Sequence, residues 1–246
     1  MNRTKTVIVT GASSGLGLAI AQAFLARNDN VVANARTLTR LQAAADGLGN
    51  PANLLLVPGD ISLPETSARL FTQAEQHFGQ VDILVNNAGI FVAKPVTEYT
   101  PEDVGAMTDT NLKGFFYPAQ AAARHMAPRG SGHIITITAS IAMQPNRKVP
   151  ALLPVLIKGG LNQAIRGLAL ELAPHNVLVN GVAPGIISTP MHESDEQSLA
   201  FLKGLSPTER IGQPRDIVDA VLYLADATFV TGTVMTVDGG ATAGVW

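Results

Sequence analysis

The stretch Thr10-Gly11-Ala12-Ser13-Ser14-Gly15-Leu16-Gly17 decides the fold expected for this chain. It follows the apolar run Thr6–Thr10 and precedes a helical pattern over 18–27, so a glycine-rich turn joins a strand to a helix. Such a turn brings the backbone close to a ligand, and the start of the helix offers free N–H groups to an anion. The stretch therefore predicts a βαβ unit that binds the pyrophosphate of a dinucleotide. The candidate contacts are Gly11, Ser13, Ser14, Gly15, Leu16 and Gly17.

Outward from this turn, apolar runs and helical patterns alternate to the end of the chain. The runs are rich in Val, Ile and Leu and are apolar on both faces, which is typical of strands covered by helices. No linker or repeat divides the 246 residues, so we expect one α/β domain over 1–246. Its predicted fold is a Rossmann-type, doubly wound parallel sheet of about seven strands flanked by helices. The predicted strands are Thr6–Thr10, Asn30–Ala35, 53–57, 82–85, 133–138, 176–182 and Val234–Val237, and the main helical stretches are 18–27, 65–78, 101–126 and 160–172.

Composition excludes several classes of function. The chain is 46% hydrophobic and 15% charged, with a mean hydropathy of +0.22, which fits a large core. A net charge of −2 does not favour nucleic acid or an anionic membrane as a partner. The absence of cysteine removes disulfides and thiolate nucleophiles, and we expect no metal site. With no apolar signal core at its start and no long apolar span, the chain is expected to be cytoplasmic, with a small-molecule substrate.

Two segments depart from the regular alternation. Residues 144–154 hold three prolines and the pair Arg147-Lys148, so they should form a loop that runs into a helix. Residues 186–205 follow a strand end and are polar around His192, which favours a lid over a ligand; an ordinary surface excursion is the alternative.

The end of the second predicted strand bears on the choice of cofactor. A site for NAD usually has an acid there, which accepts hydrogen bonds from the ribose 2′-hydroxyl. This chain has Ala35 followed by Arg36, and a guanidinium can bind a 2′-phosphate at two points. NADP(H) is therefore favoured over NAD(H). The alternative is that Arg36 is a solvated arginine, as Arg40 could equally be.

Further motifs in order along the chain resemble the short-chain dehydrogenase/reductase family. They cover essentially the whole chain and comprise the glycine-rich turn, Gly59-Asp60, Asn86-Asn87-Ala88-Gly89, Asn111, Ser140, Lys158, Pro184-Gly185 and Asp238-Gly239-Gly240. The resemblance implies an adenine contact at Asp60 and Ile61 and a nicotinamide contact at Ile187 and Thr189. It also implies that Asn86, Ala88 and Gly89 back the adenosine ribose and that the protein forms a homotetramer or homodimer. The implied cofactor contacts are Arg36, Asp60, Ile61, Asn87, Ala88, Gly89, Lys158, Pro184, Gly185, Ile187 and Thr189.

The family's catalytic set is Asn, Ser, Tyr and Lys, and this chain matches three of the four. Asn111, Ser140 and Lys158 fit the pattern, but Pro154 stands four residues before Lys158, where the tyrosine is expected. The tyrosine supplies the proton when hydride addition turns a carbonyl into an alkoxide, and loss of a positioned acid costs about 10²- to 10⁴-fold in rate. Lys158 and His192 are the candidate substitute acids.

Three functions remain open from the sequence. The first is an NADP(H)-dependent oxidoreductase with a rebuilt active site, which reduces an imine, an iminium ion or a conjugated C=C bond rather than a simple ketone. The second is a pseudoenzyme that binds a nucleotide without catalysing hydride transfer. The third is a non-redox isomerase or cyclase that uses the same pocket.

Overall fold

Seven parallel strands form one sheet in the structure, a computed structural model that describes residues 3–189 and 196–244. In chain order they are β1 (Thr6–Thr10), β2 (Asn30–Ala35), β3 (Leu54–Pro58), β4 (Ile83–Asn86), β5 (Gly132–Ile137), β6 (Val177–Pro184) and β7 (Val234–Val237). Their spatial order is β3-β2-β1-β4-β5-β6-β7, so the winding reverses between β1 and β4. This confirms the predicted doubly wound fold, and the reversal opens a crevice at the carboxyl ends of the strands.

Helices cover both faces of the sheet. They are α1 (Gly15–Ala26), α2 (Leu38–Gly47), α3 (Pro64–Phe78), α4 (Pro101–Met107), α5 (Gly114–Met126), α6 (Leu152–Leu172), α7 (Glu196–Lys203) and α8 (Pro214–Asp226). Successive residues of β1 point to opposite faces, as the strand period requires. Val7 and Val9 belong to the core layer that contains Phe24 of α1, whereas Ile8 belongs to the layer that contains Leu70 of α3.

Some element boundaries differ from the sequence-based expectation. The predicted helix over 101–126 is helical throughout, but the π-helical segment Thr108–Lys113 separates α4 from α5. Helix α6 begins at Leu152 rather than at 160, so the proline-rich loop ends three residues before the predicted end at 154. Helices α2 and α8 were not among the main predicted stretches. In α2 only Leu41 and Ala45 are buried, so its apolar periodicity is weak.

Two further properties limit the kinds of site that the described residues can form. Within 3–189 and 196–244, no helix combines the length and the apolar character needed to cross a bilayer. Across the same residues, His, Asp and Glu side chains nowhere group in threes in a way that could hold a metal ion.

Candidate functional site

A cleft of about 640 Å³ lies at the carboxyl ends of the strands, where the winding reverses. Loops that follow β1 to β6 line it, and nearly all of the residues predicted from the sequence meet there. The predicted residues in its wall are Gly11, Ser13, Ser14, Gly15, Leu16, Arg36, Asp60, Ile61, Asn87, Ala88, Gly89, Ser140, Lys158, Pro184, Gly185, Ile187 and Thr189.

Four predicted residues lie elsewhere. Gly17 packs behind the glycine-rich turn instead of lining the cleft. Asn86, expected beside the adenosine ribose, is buried below the cleft in a separate small cavity, which Asn111 also lines. The expectation for Asn86 is thus corrected, because the last residue of β4 points under the helices rather than toward the cleft. His192 falls outside the described residues, as does the middle of the predicted lid over 186–205.

The glycine-rich turn presents the open end of a helix to the cleft. Gly11 and Gly15 have φ values of +68° and +55°, which L side chains rarely adopt. Ser14 precedes α1 in an extended conformation, its side chain forms no capping hydrogen bond, and the first turn of α1 carries no acidic residue. Free N–H groups and the positive end of the helix dipole therefore face the cleft, an arrangement suited to a phosphate group.

A hydrogen-bonded junction fixes the loop after β4 to this turn. The Thr10 hydroxyl oxygen accepts from the backbone N–H groups of Asn87 and Ala88, each at 3.0 Å. In return, Nδ2 of Asn87 donates to the Thr10 carbonyl oxygen at 2.9 Å. Because β1 and β4 flank the point where the winding reverses, these bonds hold the two walls of the crevice at a fixed separation.

Two arginines, Arg36 just after β2 and Arg40 in the first turn of α2, carry unpaired charge into the cleft. Arg36 and Arg40 are exposed and line the cleft, and neither forms a hydrogen bond or ion pair with any residue in the described ranges. Buried Asn34 ties this strand end to the next loop by donating to the carbonyl oxygens of Val57 at 3.1 Å and Gly59 at 3.2 Å. Asn34 was not predicted to have a role at the site. A polar residue within an otherwise apolar strand was the sequence signal that could have indicated one.

Ser140 and Lys158 form the part of the wall where chemistry is expected. Ser140 starts a single 3₁₀ turn just after β5 and is buried. Lys158 extends from α6, and its Nζ donates to the carbonyl oxygens of Thr138 at 3.0 Å and Ile137 at 3.4 Å. Burial lowers the pKa of Lys158 from its usual 10.5 to about 8, because removal from water disfavours the ammonium.

Pro154 lies one helical turn before Lys158 and is compatible with the start of α6. With Ala151 as the N-cap, Pro154 occupies the third helical position, where a backbone N–H has no partner within the helix. The first such bond runs from Val155 N to Ala151 O at 2.9 Å. Pro154 is buried, and no tyrosine stands among the described residues of the cleft wall. Tyr99 instead donates its hydroxyl to Val92 O at 2.9 Å.

The side chain of Asn111 forms two hydrogen bonds with the loop after β4. Its Oδ1 accepts from Ile90 N at 2.8 Å, and its Nδ2 donates to Ile90 O at 2.9 Å. The π-helical segment carries Asn111 into this position.

Some apolar residues of the cleft wall were not predicted from the sequence. Single apolar residues in loops carry no pattern, so nothing in the sequence marks them as neighbours. They are Ile90, Phe91 and Val149, whereas Leu205 belongs to the predicted lid over 186–205.

Comparison with known proteins gives a consistent result. A family model described as enoyl-(acyl carrier protein) reductase matches residues 11–242. Gluconate 5-dehydrogenase of Gluconobacter oxydans is 34% identical, with 96% of this chain and 93% of that protein covered. A short-chain type dehydrogenase/reductase from Mycobacterium marinum is 32% identical, with a TM-score of 0.91 over 98% of this chain and 96% of that one. The structure of ElxO with NADP bound is 26% identical, with a TM-score of 0.92 over 98% of this chain and all of that one.

Proposed function

The chain belongs to the short-chain dehydrogenase/reductase family, and from that premise we propose an NADP(H)-dependent oxidoreductase with a rebuilt active site. The observation that carries this proposal is a single cleft lined by an uncapped helix end, two unpaired arginines, Ser140 and Lys158. The first three groups suit a dinucleotide phosphate, and the last two suit a reacting carbonyl group or its equivalent.

The residues of the cleft fit a nicotinamide dinucleotide with a 2′-phosphate. The N–H groups at the start of α1 would hold the pyrophosphate, and Arg36 with Arg40 would hold the 2′-phosphate. We assign Ile187 and Thr189 to the nicotinamide end. When bound, the reduced cofactor supplies a hydride. The neighbour ElxO carries NADP in this fold, which supports the same cofactor here.

The active site departs from the family pattern at Pro154, which stands where the tyrosine is expected. Without a tyrosine four residues before Lys158, this chain lacks the family's usual acid for an alkoxide. Hydride addition to an iminium carbon forms no alkoxide, and addition to a conjugated C=C bond forms an enolate. We therefore propose one of these two substrate classes in place of a simple ketone. The matching family model is named for an enoyl reductase, which is consistent with reduction of a C=C bond.

Oxidation of NADPH followed at 340 nm tests the proposal directly. The panel comprises a cyclic imine, a conjugated enone and the corresponding saturated ketone, with NADH as the comparison cofactor. We expect turnover with the imine or the enone, little with the ketone, and a preference for NADPH. Tight NADPH binding without turnover on any of the three would instead support a pseudoenzyme or a non-redox isomerase.

Exposed apolar side chains on the outer helices support a homotetramer or homodimer. Phe116 on α5 is 53% exposed, and Leu156 and Leu170 on α6 are 68% and 80% exposed. Side chains of this kind are unusual on a monomer when they recur on neighbouring helices. Light scattering on the purified protein, with Leu156→Glu as the disrupting variant, tests the assembly.

The predicted lid is part of the same proposal. Ile187 and Thr189 after β6 and Leu205 after α7 line the cleft, so both ends of the 186–205 segment border the proposed cofactor site. We infer that this segment covers the substrate.

A further inference from the structure

Lys158 differs from the other ionisable groups in the cleft. Asp109 pairs with Lys113 at 2.6 Å, and Asp238 accepts from the backbone of Gly240 and Thr242 and from the Thr242 hydroxyl. Asp60 accepts from Ser62 N.

The ammonium of Lys158 has no carboxylate partner among the described residues and donates only to two carbonyl oxygens. Desolvation alone accounts for its lowered pKa, with no contribution from the neighbouring charges. A lysine that titrates near neutral pH can release a proton as well as hold one.

A small polar cavity lies behind Lys158. It measures about 10 Å³, and Lys158, Ala88 and Ile137 line both it and the main cleft. Asn86 and Thr136, paired across β4 and β5, face into it. They are 4% and 1% exposed.

The polar atoms of these two residues need a partner. Both side-chain atoms of the Asn86 amide and the Thr136 hydroxyl are buried without a protein hydrogen-bond partner. A buried polar atom without a hydrogen-bond partner destabilises the folded protein. A cavity of this size holds about one water molecule, and a buried water needs two to four polar partners. Asn86, Thr136 and Lys158 provide that number, so the cavity is suited to a water beside the ammonium.

We propose that Nζ of Lys158 is the proton donor of this enzyme, that water held by Asn86 and Thr136 restores its proton, and that the substrate is a conjugated carbonyl compound. The inference rests on the proposed function, since it names the acid and the substrate class of that reaction. It is separate from the tyrosine-based step of the family, which Pro154 removes.

The proposed reaction combines a hydride transfer with a proton transfer. The β-carbon of the substrate gains a hydride from the reduced nicotinamide, so the C=C bond is reduced and the cofactor is oxidised. The N–H bond of Lys158 breaks, its electron pair stays on nitrogen, and the proton goes to the enolate. Lysine is left neutral and takes a proton from the adjoining water, which is itself reprotonated from bulk solvent, so solvent supplies the proton consumed in each turnover. Ser140 would donate a hydrogen bond to the substrate oxygen.

The positive charge of Lys158 favours a conjugated carbonyl compound over an iminium ion as the substrate. An ammonium in a site shielded from water attracts the negative charge that develops on an enolate. The same ammonium repels an iminium ion, which is already positive. Lys158 therefore favours the conjugated carbonyl compound.

Reduction of 2-cyclohexen-1-one by NADPH provides the test, with Lys158→Arg as the matched variant. Arginine keeps the positive charge but cannot release a proton at these pH values. We expect enone reduction to fall about 10²- to 10⁴-fold. Because Lys158 is also an implied cofactor contact, NADPH affinity is measured separately by fluorescence, and it should change less than the turnover number. In the wild-type protein, kcat should be level below pH 8 and fall tenfold per unit above it. Undiminished turnover by Lys158→Arg, or a level wild-type profile to pH 10, would overturn the inference.

An NMR titration of the lysines needs no turnover, so it tests the inference even if Lys158→Arg folds poorly. Carbon-13 labelling of the lysine ε positions lets each lysine be titrated by NMR in the free protein. We expect Lys158 to titrate near pH 8, apart from the surface lysines. Thr136→Val should move that midpoint to lower pH, whereas Thr136→Ser should leave it in place. A Lys158 signal that titrates with the surface lysines contradicts the inference.

Failure of the inference and failure of the proposed function give different results. Wild-type protein that reduces none of the panel contradicts the proposed function itself. Wild-type protein that reduces the imine but not the enone leaves the oxidoreductase standing and overturns the choice of donor and substrate.

Discussion

Gly17 lies so close to Gly11 that a side chain at Gly17 has no room. A Cβ built on Gly17 would overlap both the carbonyl oxygen of Gly11 and Nδ2 of Asn87. Gly17 therefore shapes the turn from behind, whereas Gly11 and Gly15 shape it through their positive φ values.

Replacement of Gly17 by alanine should weaken NADPH binding without contacting the cofactor. The added methyl group must push the Gly11 carbonyl and the Asn87 amide apart, and such overpacking costs about 1–3 kcal/mol. We expect at least a tenfold rise in Kd by fluorescence titration, with a lower Tm. Gly47→Ala at the end of α2 is the matched control, because a Cβ there meets nothing within 4 Å. Equal affinity in the two variants would contradict this account of the turn.

Arg36→Ala should reduce affinity for NADPH but not for NADH. Arg36 has no partner in the described structure, so its charge is free for a 2′-phosphate, and a hydrogen bond to a charged group contributes about 1.5–3 kcal/mol. We expect calorimetry to give a Kd for NADPH at least tenfold higher than that of the wild-type protein. The difference in Kd between the two proteins should be smaller at high salt. Arg215→Ala on α8 is the control, because Arg215 is 88% exposed and pairs only with Asp219. A parallel loss for NADH would show that Arg36 does not read the 2′-phosphate.

The sequence predicted the central strands well because they are buried on both faces. β1, β2 and β7 have the predicted bounds, since continuous apolar runs end abruptly at polar or glycine residues. Helix α8 could also have been recognised, because Pro214 stands at its start and the Asp216 side chain in its first turn accepts from Gln213 N at 2.8 Å, before the apolar positions of that helix. The π-helical segment could not, because its hydrogen-bond pattern depends on tertiary contacts rather than on local propensity.

The site was predicted where family motifs exist and missed where only the fold brings residues together. Ser140 and Lys158 come from motifs 18 positions apart, and the structure puts both in the cleft wall. The pairing of Asn86 with Thr136 depends on the register of β4 against β5, which no local pattern records.

Lys158→Met should stabilise the fold at neutral pH and lose that advantage as the pH rises. The pKa of Lys158 is about 8 in the folded protein and 10.5 in its usual state, so between these values the unfolded chain binds the extra proton. The free energy of unfolding of the wild-type protein therefore rises with pH across this window. That of the methionine variant does not rise for this reason, because methionine does not titrate. The difference in free energy of unfolding should shrink by roughly 2–3 kcal/mol from pH 7 to pH 10. Urea denaturation at both pH values measures it, and a constant difference would exclude a shifted lysine.

Pro154→Tyr should restore reduction of a simple ketone. Position 154 is one helical turn before Lys158 on α6, so a tyrosine there would carry its hydroxyl on the same face as the lysine. A nearby ammonium lowers the pKa of a phenol, which makes it an effective proton donor to an alkoxide.

We expect cyclohexanone reduction by NADPH to rise about 10²-fold or more in Pro154→Tyr. Pro154→Phe is the matched control, because it adds the same ring without the hydroxyl. Both variants lose the rigidity of proline, at about 0.4–1 kcal/mol, so a shared fall in Tm does not affect the comparison. Ketone reduction that rises equally in both variants would mean that space at position 154, rather than the missing acid, limits the present enzyme.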